Sequence, residues 1–212
     1  PLTIGADGYI DKPNVKPVPY APYVNGQELV DKTLEGWKAD NKITKNPDGT
    51  YKVNEEVAGY LGISSTESVS EKQLLQAGIK TLQNDAKYQA YLNDDAEFKT
   101  RNIVPTAENL NSVLTPEIKQ ALGLKQDATV QEIQDAINAG SINPSNILKE
   151  IHKQEEIYNA SLVPASKYGY EKEDLKLYNN TLLIESLKAQ QSINSARAKA
   201  ESQSNVDVIV SP

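Results

Sequence analysis

His152 is the only imidazole in the 212-residue chain, and there is no cysteine. Those two facts fix most of the chemistry the chain can offer. A histidine titrates near neutrality and serves as base, acid or metal ligand. His152 stands among Lys149, Glu150, Lys153 and Glu155, a neighbourhood that reads as the solvated face of a helix. A transition-metal site built on it would have to collect carboxylates from distant segments, because no second histidine or thiolate exists. A Ser–His–Asp triad assembles in space rather than along the chain, but the sequence has no G-x-S-x-G turn to present a nucleophile. Three carboxylate groupings could in principle form general acid–base pairs: Asp94, Asp95 and Glu97; Glu155 and Glu156; Glu171, Glu173 and Asp174. Each reads more simply as helix-terminal or surface charge. The "NPDGT" stretch mimics part of a calcium loop but lacks the acidic ladder ending in Glu. No G-x-x-x-x-G-K-[ST] or G-x-G-x-x-G phosphate cradle occurs. The expectation is a chain that is not an enzyme, with no catalytic, cofactor-binding or metal-ligating residues and no cofactor.

The chemistry that remains is contact chemistry. "DKPNVKPVPYAPYVNG" carries Pro13, Pro17, Pro19 and Pro22 interleaved with Tyr20 and Tyr23. Each proline fixes φ, removes a donor and pushes its predecessor out of the helical region. The segment cannot bury itself, yet its Pro and Tyr rings make good contact surface. The candidate partner-binding residues are Pro17, Pro19, Tyr20, Pro22, Tyr23, the lone Trp37, and Val206, Val208 and Val210 of the terminal "VDVIV" run. That run reads as a β-strand seeking a sheet edge in this chain or in another subunit.

Composition bounds the partners. Hydrophobic residues make up 38% and aromatics 6%, with eleven Tyr, one Trp and one Phe. The core must come from Leu, Ile, Val and Ala, which suits thin helical layers. The net charge is −7 and falls mostly on residues 51–160, where ten basic residues face sixteen acidic ones. Such a middle repels a phosphate backbone, and only two cations are Arg, so strong nucleic-acid binding is not expected. No run of 18 apolar residues exists, so no membrane span is expected. Methionine is absent even at position 1. We read this as removal of an initiator before Pro1, with a processed fragment as the alternative. A signal peptide is absent or already cleaved.

The elements that must position these residues read as mainly α. Residues 1–27 form an extended Pro/Tyr-rich N-terminal arm. Residues 28–160 form a helical region with a small β-hairpin at about 43–53. Residues 161–212 hold a long C-terminal helix, from about Glu171 to Ser202, and the terminal β-run. Leu29, Val30, Leu34 and Trp37 gather on one face of a first helix spanning about 27–39. A helical stretch is expected from Leu74 to Phe98, and Pro164 and Gly169 mark a loop in "SLVPASKYGYEKEDL".

Within the middle region one pattern occurs twice. Val57, Leu61, Gly62, Ile63, Ser68, Val69 and Glu71 recur 61 residues later as Ile118, Leu122, Gly123, Leu124, Thr129, Val130 and Glu132. The i,i+4 apolar pairs predict a short helix in each copy. Gly62 and Gly123 predict left-handed caps. Ser68-x-x-Glu71 and Thr129-x-x-Glu132 predict capping boxes opening a second helix. Each copy, about 54–78 and about 115–140, is thus a helix–turn–helix corner too small to bury its own face.

"TPEIKQALGLKQDATVQEIQDAI" resembles a helical motif of tailed-bacteriophage head proteins, where "LGL" precedes "DATxxEIxxAI" in prohead proteases and related scaffold or minor virion proteins. The resemblance covers residues 115–140, and more loosely 54–78. No protease chemistry comes with it. It implies a virion setting: a structural subunit, internal, portal-associated, scaffold-like or cargo, bound to other virion proteins in multiple copies through its arm and tail. The alternative is a soluble bacterial binding or adaptor module, in the cytoplasm or at the cell surface.

Overall fold

The computed structural model describes residues 3–4, 10–11, 21–101 and 103–210, with side chains from Ala21 to Ala200 except at 102, 194 and 198. The protein is mainly helical with a small antiparallel sheet. It divides into two compact units, each assembled from separated stretches. One comprises Pro17–Ala96 and Lys153–Asn179; the other comprises Pro1–Lys16, Glu97–His152 and Asn180–Pro212. The first contains the corner at 54–78 and the second the corner at 115–140. No helix among the described residues is long and apolar enough to cross a membrane.

In the arm, β1 (Thr3–Ile4) and β2 (Ile10–Asp11) pair antiparallel, with Ile4 opposite Ile10. The expectation of plain extended chain over 1–27 is thereby modified at its start. Pro17, Pro19 and Tyr20 lie outside the described residues.

The first-corner unit begins with α1 (Gly26–Ala39), whose N-cap Asn25 accepts from the N–H groups of Gln27 and Glu28. Of the expected face, Val30, Leu34 and Trp37 are buried and Leu29 is half-buried, and the helix packs on α3 (Glu71–Thr81). The expected hairpin is β3 (Ile43–Lys45) and β4 (Tyr51–Val53). Its turn closes as Asn46 N–H donates to the Thr50 carbonyl at 2.7 Å, while Asp48 Oδ1 accepts from the Thr50 hydroxyl at 2.6 Å. Then α2 (Glu55–Leu61), capped by Asn54, ends at Gly62 with φ 67°. The Ile63 N–H folds back onto the Ala58 carbonyl at 3.1 Å, so Ile63 reverses the chain over the helix it leaves.

Here the sequence reading needs correction. Ser68 does not cap a helix, and Val69 does not belong to one. They form β5 (Ser68–Val69), a third strand beside β4, with Val69 opposite Tyr51. The capping box lies two residues on, where Ser70 Oγ accepts from Gln73 N–H and Gln73 Oε1 accepts from Ser70 N–H. An open strand edge on β4 offered backbone partners two residues before the helix could start.

The expected continuous helix over 74–98 is also divided, into α3 and α4 (Ala86–Arg101). Asp85 Oδ1 accepts from Tyr88 N–H at 2.8 Å and so starts α4 afresh. A short polar residue that bonds its own backbone competes with helix continuation.

The second-corner unit is built on α5 (Ala107–Val113), α6 (Pro116–Ala121) and α7 (Val130–Asn138), each opened by a threonine cap at Thr106, Thr115 and Thr129. Gly123, at φ 80°, follows α6, and Leu124 N–H returns to the Lys119 carbonyl at 2.9 Å. Leu110, Ile118, Leu122, Ile133, Ile147 and Leu187 are buried together, with Leu124, Val130 and Ile137 packed on them. Thr129 caps α7 as expected, its hydroxyl accepting from Glu132 N–H at 3.2 Å, but the expected capping box is only half formed: Glu132 Oε1 meets the Thr129 hydroxyl at 3.4 Å instead of the Thr129 N–H.

Two long helices supply residues to both units. In α8 (Pro144–Lys167), Pro164 lies inside the helix instead of in the expected loop. Proline costs that helix one N–H, which would have met the Ala160 carbonyl. The preceding turn is held by Ser161, fully buried, whose hydroxyl donates to the Ile157 carbonyl at 2.6 Å. The helix α9 (Lys172–Val210) runs on through Val206, Val208 and Val210. The expected terminal β-run is therefore overturned. β-branched residues lose only about 0.5 kcal/mol each in a helix, and extending a formed helix avoids the cost of nucleation.

The left-handed turns make a direct prediction. Gly123→Ala puts a Cβ on a backbone at φ 80° and is expected to cost about 1–2 kcal/mol. Thr129→Ala, which removes only the cap, is expected to cost about 1 kcal/mol. Urea unfolding checks both: the midpoint should drop at constant slope.

Candidate functional site

Residues 21–25 lie on α4 before the chain turns into α1. Ala21 N–H donates to Asp94 Oδ2. Two residues on, the Tyr23 ring meets Tyr91 edge to face, with centroids 5.1 Å apart and planes at 81°. Tyr91 and Tyr88 stand one turn apart on α4, with centroids 6.2 Å apart and planes tilted by 31°. On α8, Glu156, Asn159 and Ala160 share one face at i, i+3 and i+4. Together with the start of α1 these residues line a cleft of about 220 Å³.

The floor of the cleft depends on Gly26. A Cβ there would fall 2.7 Å from the Tyr88 hydroxyl and 2.9 Å from Ala160 Cβ. The absence of a side chain lets Tyr88 slide under the end of α1, where it is 2% exposed. Burial pushes its phenol well above the ordinary range, and the nearby Glu156 carboxylate adds to the rise. Tyr23, by contrast, is 69% exposed. The cleft therefore runs from a wet aromatic rim to a dry phenolic floor. Among the described residues Glu156 is the one charged side chain lining it, and Asn25, Gln27 and Asn159 supply neutral polar groups. A concavity with this lining can bind a ligand.

A second concavity, of about 400 Å³, lies at the α8–α9 turn against Leu162, Tyr170 and Leu175. The Tyr170 hydroxyl accepts from Gln76 Nε2 at 2.6 Å, and Lys72 Nζ stands 5.6 Å from its ring centre. These contacts occupy the ring within the chain itself.

The residues expected to meet partners are scattered. Pro22 and Tyr23 are exposed, Tyr23 at the rim of the cleft. Trp37 is 5% exposed and stacks on Tyr60, with centroids 5.9 Å apart, as part of the core. Val206, Val208 and Val210 lie in α9, and their side chains are outside those described. Of the acidic groups, Asp94 holds Ala21, Glu97 pairs with Arg101 at 3.6 Å, and Asp174 pairs with Lys72 at 3.4 Å. Among the described residues no three His, Asp or Glu are placed to hold a metal. The sequence reading placed Tyr88 and Tyr91 within one helical stretch and took Glu156 as helix-terminal or surface charge. The i,i+3 tyrosine spacing was a usable signal, but nothing along the chain ties those rings to Glu156.

No protein-family model, no curated protein and no solved structure matches the chain.

Two measurements test the floor of the cleft. Gly26→Ala is expected to destabilise the protein by about 1–3 kcal/mol through overpacking, and by less when Tyr88 is replaced by Ala in the same chain. Tyr88 should also make stability pH-dependent at the alkaline end. Its phenol ionises near pH 10 when unfolded and higher when folded, so its contribution is complete below about pH 10 and is lost as pH rises through the folded value. An ultraviolet phenolate titration should show Tyr51, Tyr168 and Tyr170 ionising late and Tyr88 last of all, and Tyr88→Phe should remove that last step.

Proposed function

We propose that the protein is a non-enzymatic structural subunit of a larger assembly, a tailed-phage virion, and that it acts by docking on neighbouring subunits. The observation that carries this reading is the second half of α9. From Lys188 to Ala200 its described side chains are exposed except for the half-buried Gln190 and Gln191, and Ile193, its one large apolar residue, is 60% exposed. Among the described residues, the bond from Gln191 Nε2 to the Ser141 carbonyl at 2.8 Å ties this stretch back to its unit. A polar helix with so little of its own core beneath it gains stability when a neighbour covers it. The resemblance of residues 115–140 to phage head proteins supports the virion setting, and the Pro/Tyr arm supplies a second docking segment. Binding by such elements orders them, and the apolar area they bury offsets that entropy.

The tyrosine cleft favours a second reading, an adaptor or binding module of a bacterial cell, because it is a small ligand-sized concavity rather than an assembly surface.

Limited trypsin digestion distinguishes the two. For a virion subunit, Lys188, Arg197 and Lys199 should be cut quickly in the free chain and at least about tenfold more slowly in purified particles. Failure of the chain to sediment with particles would sink the virion reading.

A further inference from the structure

We propose that the cleft formed by Tyr23, Tyr91 and Glu156 is a binding site for an organic ammonium group. Three observations converge on it. The rings of Tyr23 and Tyr91 stand at 81° with centroids 5.1 Å apart, so one face and one edge meet in a corner at the exposed rim. Ring faces attract cations through their quadrupole, and an ammonium within about 6 Å of a ring centre is favoured. Among the described residues, Glu156 places the lining's one charge on the α8 side, and no basic residue lines the cleft.

Other ligand classes fit less well. An anion would meet Glu156, and two of the N–H groups at the start of α1 already donate to Asn25. A hard metal cation wants several oxygens with charge among them, whereas the cleft offers one carboxylate and neutral phenols. A wholly apolar ligand would strand Asn25, Gln27 and Asn159 without water. An organic ammonium, by contrast, matches rings, carboxylate and neutral acceptors together. A cleft of about 220 Å³ has room for a trimethylammonium head or the end of a lysine side chain. The site does not depend on the virion reading, since a free amine or a neighbour's lysine would present the same group.

The test begins with the full chain, without mutation. Choline and its neutral isostere 3,3-dimethylbutanol are titrated separately by ligand-observed NMR, alongside a lysine-containing peptide and its norleucine counterpart. At least one ammonium ligand should bind about three- to thirtyfold more tightly than its neutral partner, with methyl or methylene resonances moved upfield by the rings. Preference for choline alone assigns a small-molecule source, and preference for the peptide assigns a protein one. Tyr91→Leu, which keeps the bulk, should remove most of that preference. Glu156→Gln should weaken binding at low salt and less at high salt. Equal binding of charged and neutral partners, or no binding by either pair, overturns the proposal. So does a preference that survives both variants when each is shown by circular dichroism to be folded. Since the unmutated comparison stands alone, a variant that fails to fold leaves the test decisive.

Discussion

The structure depends on stopping short helices without leaving their last carbonyls bare. Helices of six or seven residues, such as α6 and α2, have almost no interior: nearly every backbone group belongs to one end or the other. At Gly62 and Gly123 the chain enters the left-handed region, and the next N–H reaches back five residues to a carbonyl. This satisfies the helix end and throws Ile63 or Leu124 back against the helix just completed. Each corner becomes a closed turn whose apolar residues face one way. The buried clusters around Val57 and Leu74 in one unit, and around Ile118 and Ile133 in the other, both sit behind such a turn.

The two corners show how context decides what a local pattern becomes. Ser68-Val69 and Thr129-Val130 occupy equivalent places in the repeat. In the second copy the threonine caps and the valine is the first residue of α7. In the first, both residues go into a strand, because the hairpin at 43–53 leaves an edge of β4 unpaired. Pairing of two residues with β4 and the full burial of Val69 outweigh the gain from starting the helix early. Ser70 and Gln73 then perform the capping that Ser68 and Glu71 could have performed. The helix survives with a shifted start, so the sequence here specifies a corner more firmly than it specifies the corner's boundaries.

Much of this was legible in the sequence, and the failures have physical causes. The hairpin, the cap at Thr129, the glycine turns and the inward stripe of Val30, Leu34 and Trp37 all follow from local rules, because each depends on residues within one or two turns. Pro164 and "VDVIV" were misread because propensity was weighed without the helix already running into them. A proline costs one bond and a valine a fraction of a kcal/mol. A helix of 24 or 39 residues absorbs either. The candidate site was the least legible part. Tyr23, Tyr91 and Glu156 belong to the arm, α4 and α8, and no periodicity relates positions on three separate segments. Only the fold brings them together.

The cleft also says something about the arm. Its last residues are often imagined as free chain, yet Ala21 donates to Asp94 and Tyr23 leans on Tyr91. These two contacts tie Ala21 and Tyr23 to α4. The same anchorage holds Tyr23 at right angles to Tyr91 instead of letting the two rings stack flat and close the space between them. A flush aromatic pair would bury more area but leave no concavity. The observed arrangement gives up that area and keeps an aromatic corner open beside a carboxylate, a geometry that core packing alone does not require.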